Sequence, residues 1–480
     1  MVQAVRALMG TANEVNPVTL SLIQWVEQQL VNLRADYDLT RMYYQGKHRV
    51  QLTDRLKKFL PSTGFDMFRD NWCEIVVDSV AERLQVTGLQ VEGEGGPKTA
   101  AWLWDQWKLN RGDKVQSRVH TNSVMMGDSY VLVDYDQAQK RVRWYYQDPG
   151  MIIPRYDPVT MEIAWASKKW TWVPRIGEEE ETRLNIYYPD RIEKYVASNR
   201  VWKQYSEAGD EDWPVAWVDS KSRPIGVPLI HFANDSLGDD FGRSEIANTI
   251  PLQDLLNKQL IDLVMVADTM GFGQRYAVNI DMGGSTLDMV PGSMLELHSG
   301  SDDDYEVGEF RPADLTKILD AIEMLVQHVS GTSRTPQHLF HLSGNYPSGE
   351  ALKTAEAGLV SKVVERQLDF GQSWEDVMGM ALRLEEVFGS EGIDPSSPID
   401  VTWRDPETRN QKEFLEGQKL KAELGVPQAQ LWREMGYSQT DIEMMMEDKD
   451  DERVRDTNIG GAILREFTQG QGAGGQGGAP

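Results

Sequence analysis

Cysteine is almost absent: Cys73 is the one thiol in 480 residues. No intrachain disulfide can form, and a zinc site built on several cysteines is excluded. Such a chain fits a reducing cytoplasm. Positive charge is also scarce. Lys and Arg number 49 against 75 Asp and Glu, a formal net charge of −26. A globally basic nucleic-acid coat is excluded, because no excess of cations exists to neutralise phosphates. Long apolar runs are missing too. No stretch reaches the roughly 18–20 consecutive apolar residues of a membrane span. Ile75-Val76-Val77 is broken at once by Asp78, and Met1 to Gly10 holds Arg6 without a continuous apolar core. A soluble protein with no signal peptide and no membrane contact is expected.

What is present is enough for a folded body. Hydrophobic residues make up 40% of the chain, and the length allows two to four domains at roughly 100–200 residues each. Helical spacing of apolar residues predicts helices over about 16–60, broken at Tyr43-Tyr44-Gln45-Gly46, and over about 69–84 and 98–126, the last carrying Trp102, Trp104 and Trp107 as core residues. The texture changes at Gly127. Alternating runs at 130–133, 141–146, 163–173, 183–188, 193–196 and 201–205 make residues 128–233 mainly β. A helical regime follows, with Ser244 as its expected N-cap and Pro251 in or near its first turn. Leu252, Leu255, Leu256, Leu263, Val264 and Ala267 form its apolar face. Short β pieces and turns occupy 271–311. A second helix after Pro312 carries Leu315, Ile318, Leu319, Ile322, Leu325 and Val329, with Gly331 expected to end it. A loop over 333–349 leads to a long helix from about Gly349 to Phe388, a strand at Ile399–Trp403, and helices over about 408–450. The Gly/Gln/Ala-rich tail predicts disorder. The fold class expected is α+β, with no repeat of solenoid period.

Catalytic patterns are weak. Gly95-Gly96-Pro97-Lys98-Thr99 ends like a phosphate loop, but Pro97 interrupts the Gly-Lys pair and removes a backbone N–H that a phosphate cradle needs. Gly127-Asp128-Ser129 lacks the second glycine of a nucleophile elbow. His338 and His341 stand three apart, yet Pro336 and Gly344 place them in a loop, where exposed histidines are expected rather than a metal site. Asp302, Asp303, Asp304 and Glu306 lack the spacing and glycine of a calcium loop and read as a solvated acidic turn. No catalytic, cofactor or metal site is expected.

Charge is unevenly spread. Residues 235–332 hold 18 Asp/Glu and 5 Lys/Arg, a net of −13, so half the excess lies in 98 residues. That is either an ordinary solvated surface or a wall to which a polyanion does not adhere, since like charges repel DNA phosphates.

Six segments then carry a resemblance: Tyr43-Tyr44-Gln45-Gly46; residues 71–84; Gly127-Asp128-Ser129-Tyr130-Val131-Leu132-Val133; Val227-Pro228-Leu229-Ile230-His231-Phe232; Gly242-Arg243-Ser244-Glu245-Ile246; and Leu252-Gln253-Asp254-Leu255-Leu256-Asn257-Lys258. In this order, followed by helix, loop and long helix, the chain resembles the portal proteins of tailed double-stranded DNA bacteriophages of the siphovirus type. The resemblance implies a wing over 1–238, a first stem helix over 239–270, a compact clip over 271–311 and a second stem helix over 312–332. It further implies a tunnel loop over 333–349, a long wing helix with its connecting strand over 350–407, a crown over 408–460, and a tail over 461–480. It implies a non-enzymatic dodecameric ring at one capsid vertex between head and tail, assembled in the host cytoplasm. The partners implied are further copies of itself, the terminase large subunit, a head-completion adaptor, the major capsid and scaffolding proteins, and double-stranded DNA. Leu252, Leu256, Leu263, Leu315, Ile322 and Leu325 would pack the stem, and Asp302, Asp303 and Asp304 would form an acidic turn of the clip. Arg334, His338, His341, Asn345 and Tyr346 would face DNA, in a loop with no Asp or Glu before Glu350. A metal-dependent phage nuclease, or another capsid or tail structural protein, remain the alternatives.

Overall fold

Pro17–Tyr44 forms helix α1 in the computed structural model. The structure describes residues 15–50, 70–93, 95–173, 180–198, 201–207, 213–236, 241–270, 275–278, 306–309, 314–340, 349–389, 397–407, 411–435, 437, 442 and 444–449. Asn16 caps α1, its Oδ1 accepting the Thr19 N–H at 2.9 Å. The helix ends at Tyr44, within the break expected at residues 43–46, and Gly46 takes a left-handed φ of 59° just after it; residues 51–69 of the expected helical block lie outside the described residues. Helix α2, Trp72–Ala81, buries Cys73, Val76, Val77 and Val80 completely. It leads into strand β1, Val86–Val91, which the sequence pattern did not predict.

The single helix expected over 98–126 is two, α3 at Gly96–Leu109 and α4 at Gly112–Met126. The indole of Trp107 is the reason. A Cβ placed on Gly112 would sit 2.2 Å from that ring, and Trp107 Nε1 donates to Asp113 Oδ1 at 3.0 Å. The chain turns under the ring with Arg111 at φ 56°.

The β region follows as β2 (Asp128–Asp136), β3 (Arg141–Gln147), β4 (Ile152–Tyr156), β5 (Ile163–Trp172), β6 (Glu181–Tyr187), β7 (Arg191–Ser198), β8 (Val201–Gln204), β9 (Val215–Ala216) and β10 (Leu229–Ala233). Two sheets result: three strands in the order β10-β2-β3, and a larger sheet in the order β4-β5-β6-β7-β8 with β9 beside β7. The larger sheet buries Ile153, Leu184, Ile186, Tyr195 and Trp202 against Ile23, Val26 and Leu30 of α1.

Next come helix α5 (Ile250–Met270), strands β11 (Arg275–Val278) and β12 (Glu306–Glu309), helix α6 (Leu315–Ser333) and helix α7 (Gly349–Phe388). Helix α5 starts with Pro251 in its first turn, where the missing N–H costs nothing. Strands β11 and β12 pair with each other, so α5 and α6 form a hairpin tipped by a two-stranded ribbon. The 40 residues of α7 span about 60 Å at 1.5 Å each. Its middle, from Phe370 to Leu384, lies in the main core with α2, α4, β2 and β10. Strand β13 (Ile399–Trp403) then pairs with the distant β1. Helices α8 (Gln411–Glu423) and α9 (Gln428–Glu434) follow. Every strand ladder among the described residues is antiparallel, so mixed helix and sheet of the α+β kind is what the chain forms. No described helix is long and apolar enough to cross a membrane.

Candidate functional site

The segments singled out in the sequence meet at the base of the α5–α6 hairpin. Gly127, at φ 99°, and Gly242 face each other so closely that a Cβ on Gly242 would lie 2.1 Å from the Gly127 carbonyl oxygen. That oxygen accepts the Asn234 N–H at 2.7 Å. Asp128, next in sequence and fully buried, accepts from Tyr37 Oη at 2.6 Å and from the Gly242 N–H at 2.7 Å, and lies 2.8 Å from His231 Nε2. With Nε2 donating to the carboxylate, His231 Nδ1 accepts from Tyr156 Oη at 2.5 Å. Burial first, and the Asp128 charge second, push the Tyr37 phenol well above its ordinary range. Ser244 does not cap α5, which begins only at Ile250; its hydroxyl donates to the Met125 carbonyl at 2.5 Å instead. The strand-opening glycine and the glycine before α5 are thus stitched into one joint.

Helix α5 grips two further segments with polar side chains. Gln253 and Asn257 are both buried. Gln253 Oε1 accepts the Trp72 N–H at 2.7 Å while its Nε2 donates to the Asp70 carbonyl at 2.9 Å. Asn257 Oδ1 accepts the Asp70 N–H at 2.8 Å. Asp254 accepts from Tyr43 Oη at 2.7 Å, and Asn71 Nδ2 donates to the Tyr44 carbonyl at 2.8 Å. Irregular backbone at 70–72 carries N–H and C=O groups with no helical or sheet partner, and these amides satisfy them. Sequence reasoning assigned only the leucines of this motif a role. An amide pair at i and i+4 inside an apolar stripe was the signal available for the rest.

The six apolar positions expected to pack the hairpin divide into two groups. Leu256 lies in the core of the single chain, 1% exposed, in the same apolar cluster as Val326 and Val329 of α6. Leu252, Leu263, Leu315, Ile322 and Leu325 are half-buried. Facing outward are Leu255 (49% exposed), Leu319 (51%) and Met324 (53%).

Both ends of the hairpin are held by α7. Glu245, before α5, meets two cations spaced i, i+4 on α7. Lys362 Nζ reaches Glu245 Oε2 at 3.1 Å, and Arg366 donates to Glu245 Oε1 at 3.1 and 3.0 Å. Arg366 also lies 3.2 Å from Asp235. Burial alone would raise the Glu245 carboxyl; Lys362 and Arg366 together outweigh it and hold the group below the usual carboxylate range. Lys362 also donates to the Ser333 carbonyl at 2.6 Å, at the last turn of α6. Lys362 and Arg366 stand among Leu359, Val363 and Phe370 on the buried face. Two charges within that stripe were a readable signal, and sequence reasoning passed over them.

Helix α6 runs through Gly331 to Ser333, and Arg334, exposed at φ 53°, ends it. His338 lies in a short 3-10 turn, Gln337–Leu339. It was expected to be exposed, yet its side chain is only 18% exposed and its Nε2 is 3.3 Å from Glu356 of α7. Phe340 stacks on Trp72 at 5.1 Å. The chain after α6 is therefore anchored as far as residue 340. His341, Asn345 and Tyr346, and the acidic turn Asp302, Asp303 and Asp304, lie outside the described residues. Among the described residues, no three His, Cys, Asp or Glu side chains converge as metal ligands.

Comparison with known sequences bears on this arrangement. The profile of the family described as Phage portal protein, SPP1 Gp6-like, matches residues 24–454, a span that includes every segment meeting at the hairpin base. The chain belongs to the phage portal protein family. It is 24% identical over 472 residues to the portal protein of Mycobacterium phage D29, covering 92% of this chain and 90% of the relative. It is also 24% identical over 447 residues to the portal protein of Mycobacterium phage L5, covering 88% and 86%. Family membership makes the chain a structural component of a phage virion, involved in the channel for DNA packaging.

Proposed function

We propose that this portal family member assembles as a closed homododecameric ring at one capsid vertex, between head and tail, with α5 and α6 lining the channel. The observation that carries the reading is the hairpin itself. Helix α5 leads away from a base locked by hydrogen bonds, a β ribbon forms the tip, and α6 returns to the same base. At 21 and 19 residues the two helices are about 31 and 28 Å long. Their outward leucines suit contact with a neighbouring copy, and Asp320 and Glu323 on the exposed surface of α6 suit a wall that repels phosphates.

In this reading residues 1–238 are the wing, 239–270 and 312–332 the stem, 271–311 the clip and 333–349 the tunnel loop. Residues 350–407 are the long wing helix and connecting strand, 408–460 the crown, and 461–480 the tail. The ring nucleates procapsid assembly with scaffolding and major capsid proteins and docks the terminase large subunit, which supplies the ATP hydrolysis. It conducts double-stranded DNA in packaging and ejection, and later holds the head-completion adaptor. Arg334, exposed where α6 ends, together with His341, Asn345 and Tyr346, offers weak donors to passing phosphates. Electron microscopy of the purified chain tests the reading. Rings with a central hole are expected; monomers or assemblies without a hole would overturn it, as would divalent-metal-dependent cleavage of DNA.

A further inference from the structure

Two chain segments that must move together if the hairpin moves share one buried ammonium. Ser333 ends α6, where the last carbonyls of a helix have no partner within it. One of them takes the Lys362 ammonium, a favourable place for a cation because the C-terminal end of the helix dipole is negative. The same ammonium, 4% exposed, holds Glu245 in the turn that leads into α5. Around it the buried Lys362 and Arg366 meet the buried Glu245 and the half-buried Asp235. The turn that follows Ser333 lies against the same helix, since a Cβ on Gly358 would sit 4.0 Å from Arg334 Cβ. The Ser330 hydroxyl bonds the Thr335 carbonyl at 2.7 Å, tightening the turn from the other side.

We propose that Lys362 is a positioning residue: it sets the direction in which the chain leaves α6 toward residues 341–348, and ties that direction to the entry of α5 through Glu245. The loop's place beside DNA rests on the portal reading; the joint itself rests on the contacts above. A displacement at the entry of α5 is passed through one ammonium to the exit of α6, without travelling the length of either helix.

Hydrogen–deuterium exchange on the purified full chain tests this, with peptides covering 330–340 read against β2 as an internal reference. Lys362→Met removes both contacts, whereas Glu245→Gln leaves the Lys362–Ser333 contact in place. Losing a charged hydrogen bond at a buried carbonyl should speed exchange at Arg334 and Thr335 by about tenfold or more in Lys362→Met, and by less than about twofold in Glu245→Gln. Lys362→Arg, which keeps charge and donor, should restore most of the protection, and β2 should not change. Equal acceleration in Lys362→Met and Glu245→Gln, or acceleration spread to β2, would mean that the cluster only stabilises the fold, and the proposal fails. If Lys362→Met gives no folded chain, Lys362→Gln replaces it: the shorter neutral side chain cannot span both partners, and unchanged exchange at Arg334 and Thr335 overturns the proposal. Exchange is read on the chain whether or not it forms rings, so failure of the joint is distinct from failure of the portal reading, which is the absence of rings.

Discussion

Replacing Leu319 with Asp separates the strength of the ring from the strength of the chain. Leu319 is 51% exposed on α6, and within one subunit it contributes little. The change costs about 0.5 kcal/mol of helix propensity and a few tenths more from repulsion with Glu323 at i+4. The chain should fold and melt almost as the parent does. In a ring whose neighbours cover this face, the balance differs. Burying the exposed half of the leucine contributes about 1 kcal/mol per subunit. Asp forfeits that gain and takes an unpaired carboxylate out of water, which costs several kcal/mol. The penalty recurs in every copy, so rings should be lost. Leu255→Asp, the matching change on α5 at 49% exposure, should behave likewise. Leu256→Asp should not: at 1% exposure in the subunit core it should prevent folding altogether. Light scattering after size exclusion reads the ring, and circular dichroism melts read the chain. Unchanged rings in Leu319→Asp would refute the view that this face is an interface. Unfolding like that of Leu256→Asp would refute the division between core and interface.

Other outcomes are expected from single sites. Gly127→Ala puts a Cβ 2.7 Å from the Gly242 carbonyl at a φ of 99°, and should cost about 3 kcal/mol or more in denaturant unfolding. Gly331→Ala, in open space within α6, should instead stabilise by up to about 1 kcal/mol. His120 is buried between the Leu84 carbonyl and Trp374 Nε1, and burial lowers its pKa from 6.5 to about 4. The unfolded chain then binds the extra proton between those values, so stability should fall as pH drops from 6.5 toward 4, by about 2 kcal/mol at pH 5. His120→Gln should show a shallower loss in melts at pH 7 and 5, and an equal slope would refute the assignment. Replacing Arg334 and His341 together with Ala should leave rings and procapsids intact but impair packaging or retention of DNA in a complementation assay. Full-length genomes retained normally would show that these donors play no part.

The elements that sequence patterning predicted well are those with a long clean period. The apolar stripe of α7 runs from Leu359 to Leu384, interrupted only by the buried Lys362 and Arg366 and the small Gly371, where β13 approaches with Trp403 Nε1 3.3 Å from where a Cβ would stand. Strand β1 escaped notice because nothing local defines it. Its partner, β13, lies some 300 residues away in sequence, and Gly88 sits where the register shifts. The break between α3 and α4 was hidden because its cause is the bulk of Trp107, a residue that helical periodicity counts as support for continuity. Gly331, taken as a stop, is simply tolerated where α6 is open to solvent, at a cost of about 1 kcal/mol relative to Ala.

The site was less legible than the fold, for a reason rooted in polar satisfaction. Periodicity weighs apolar residues, so it assigned the hairpin to its leucines. Yet the base is specified by Gln253, Asn257, Asp128, Glu245 and Lys362, all buried or nearly so and all bonded to segments distant in sequence. An apolar contact tolerates sliding, because dispersion and burial are non-directional. A buried amide paired with one backbone N–H and one carbonyl does not slide, since displacement leaves both unsatisfied at about 1–3 kcal/mol each. The hairpin is thus held rigidly at its base by directional bonds, while the apolar side chains exposed on its described helices, Leu255, Leu319 and Met324, would offer a neighbour in the proposed ring non-directional contacts. An assembly built that way fixes each stem relative to its own subunit more tightly than stems are fixed to one another. Motion within a ring should then appear as small shifts between whole subunits, before any change in the angle between α5 and α7.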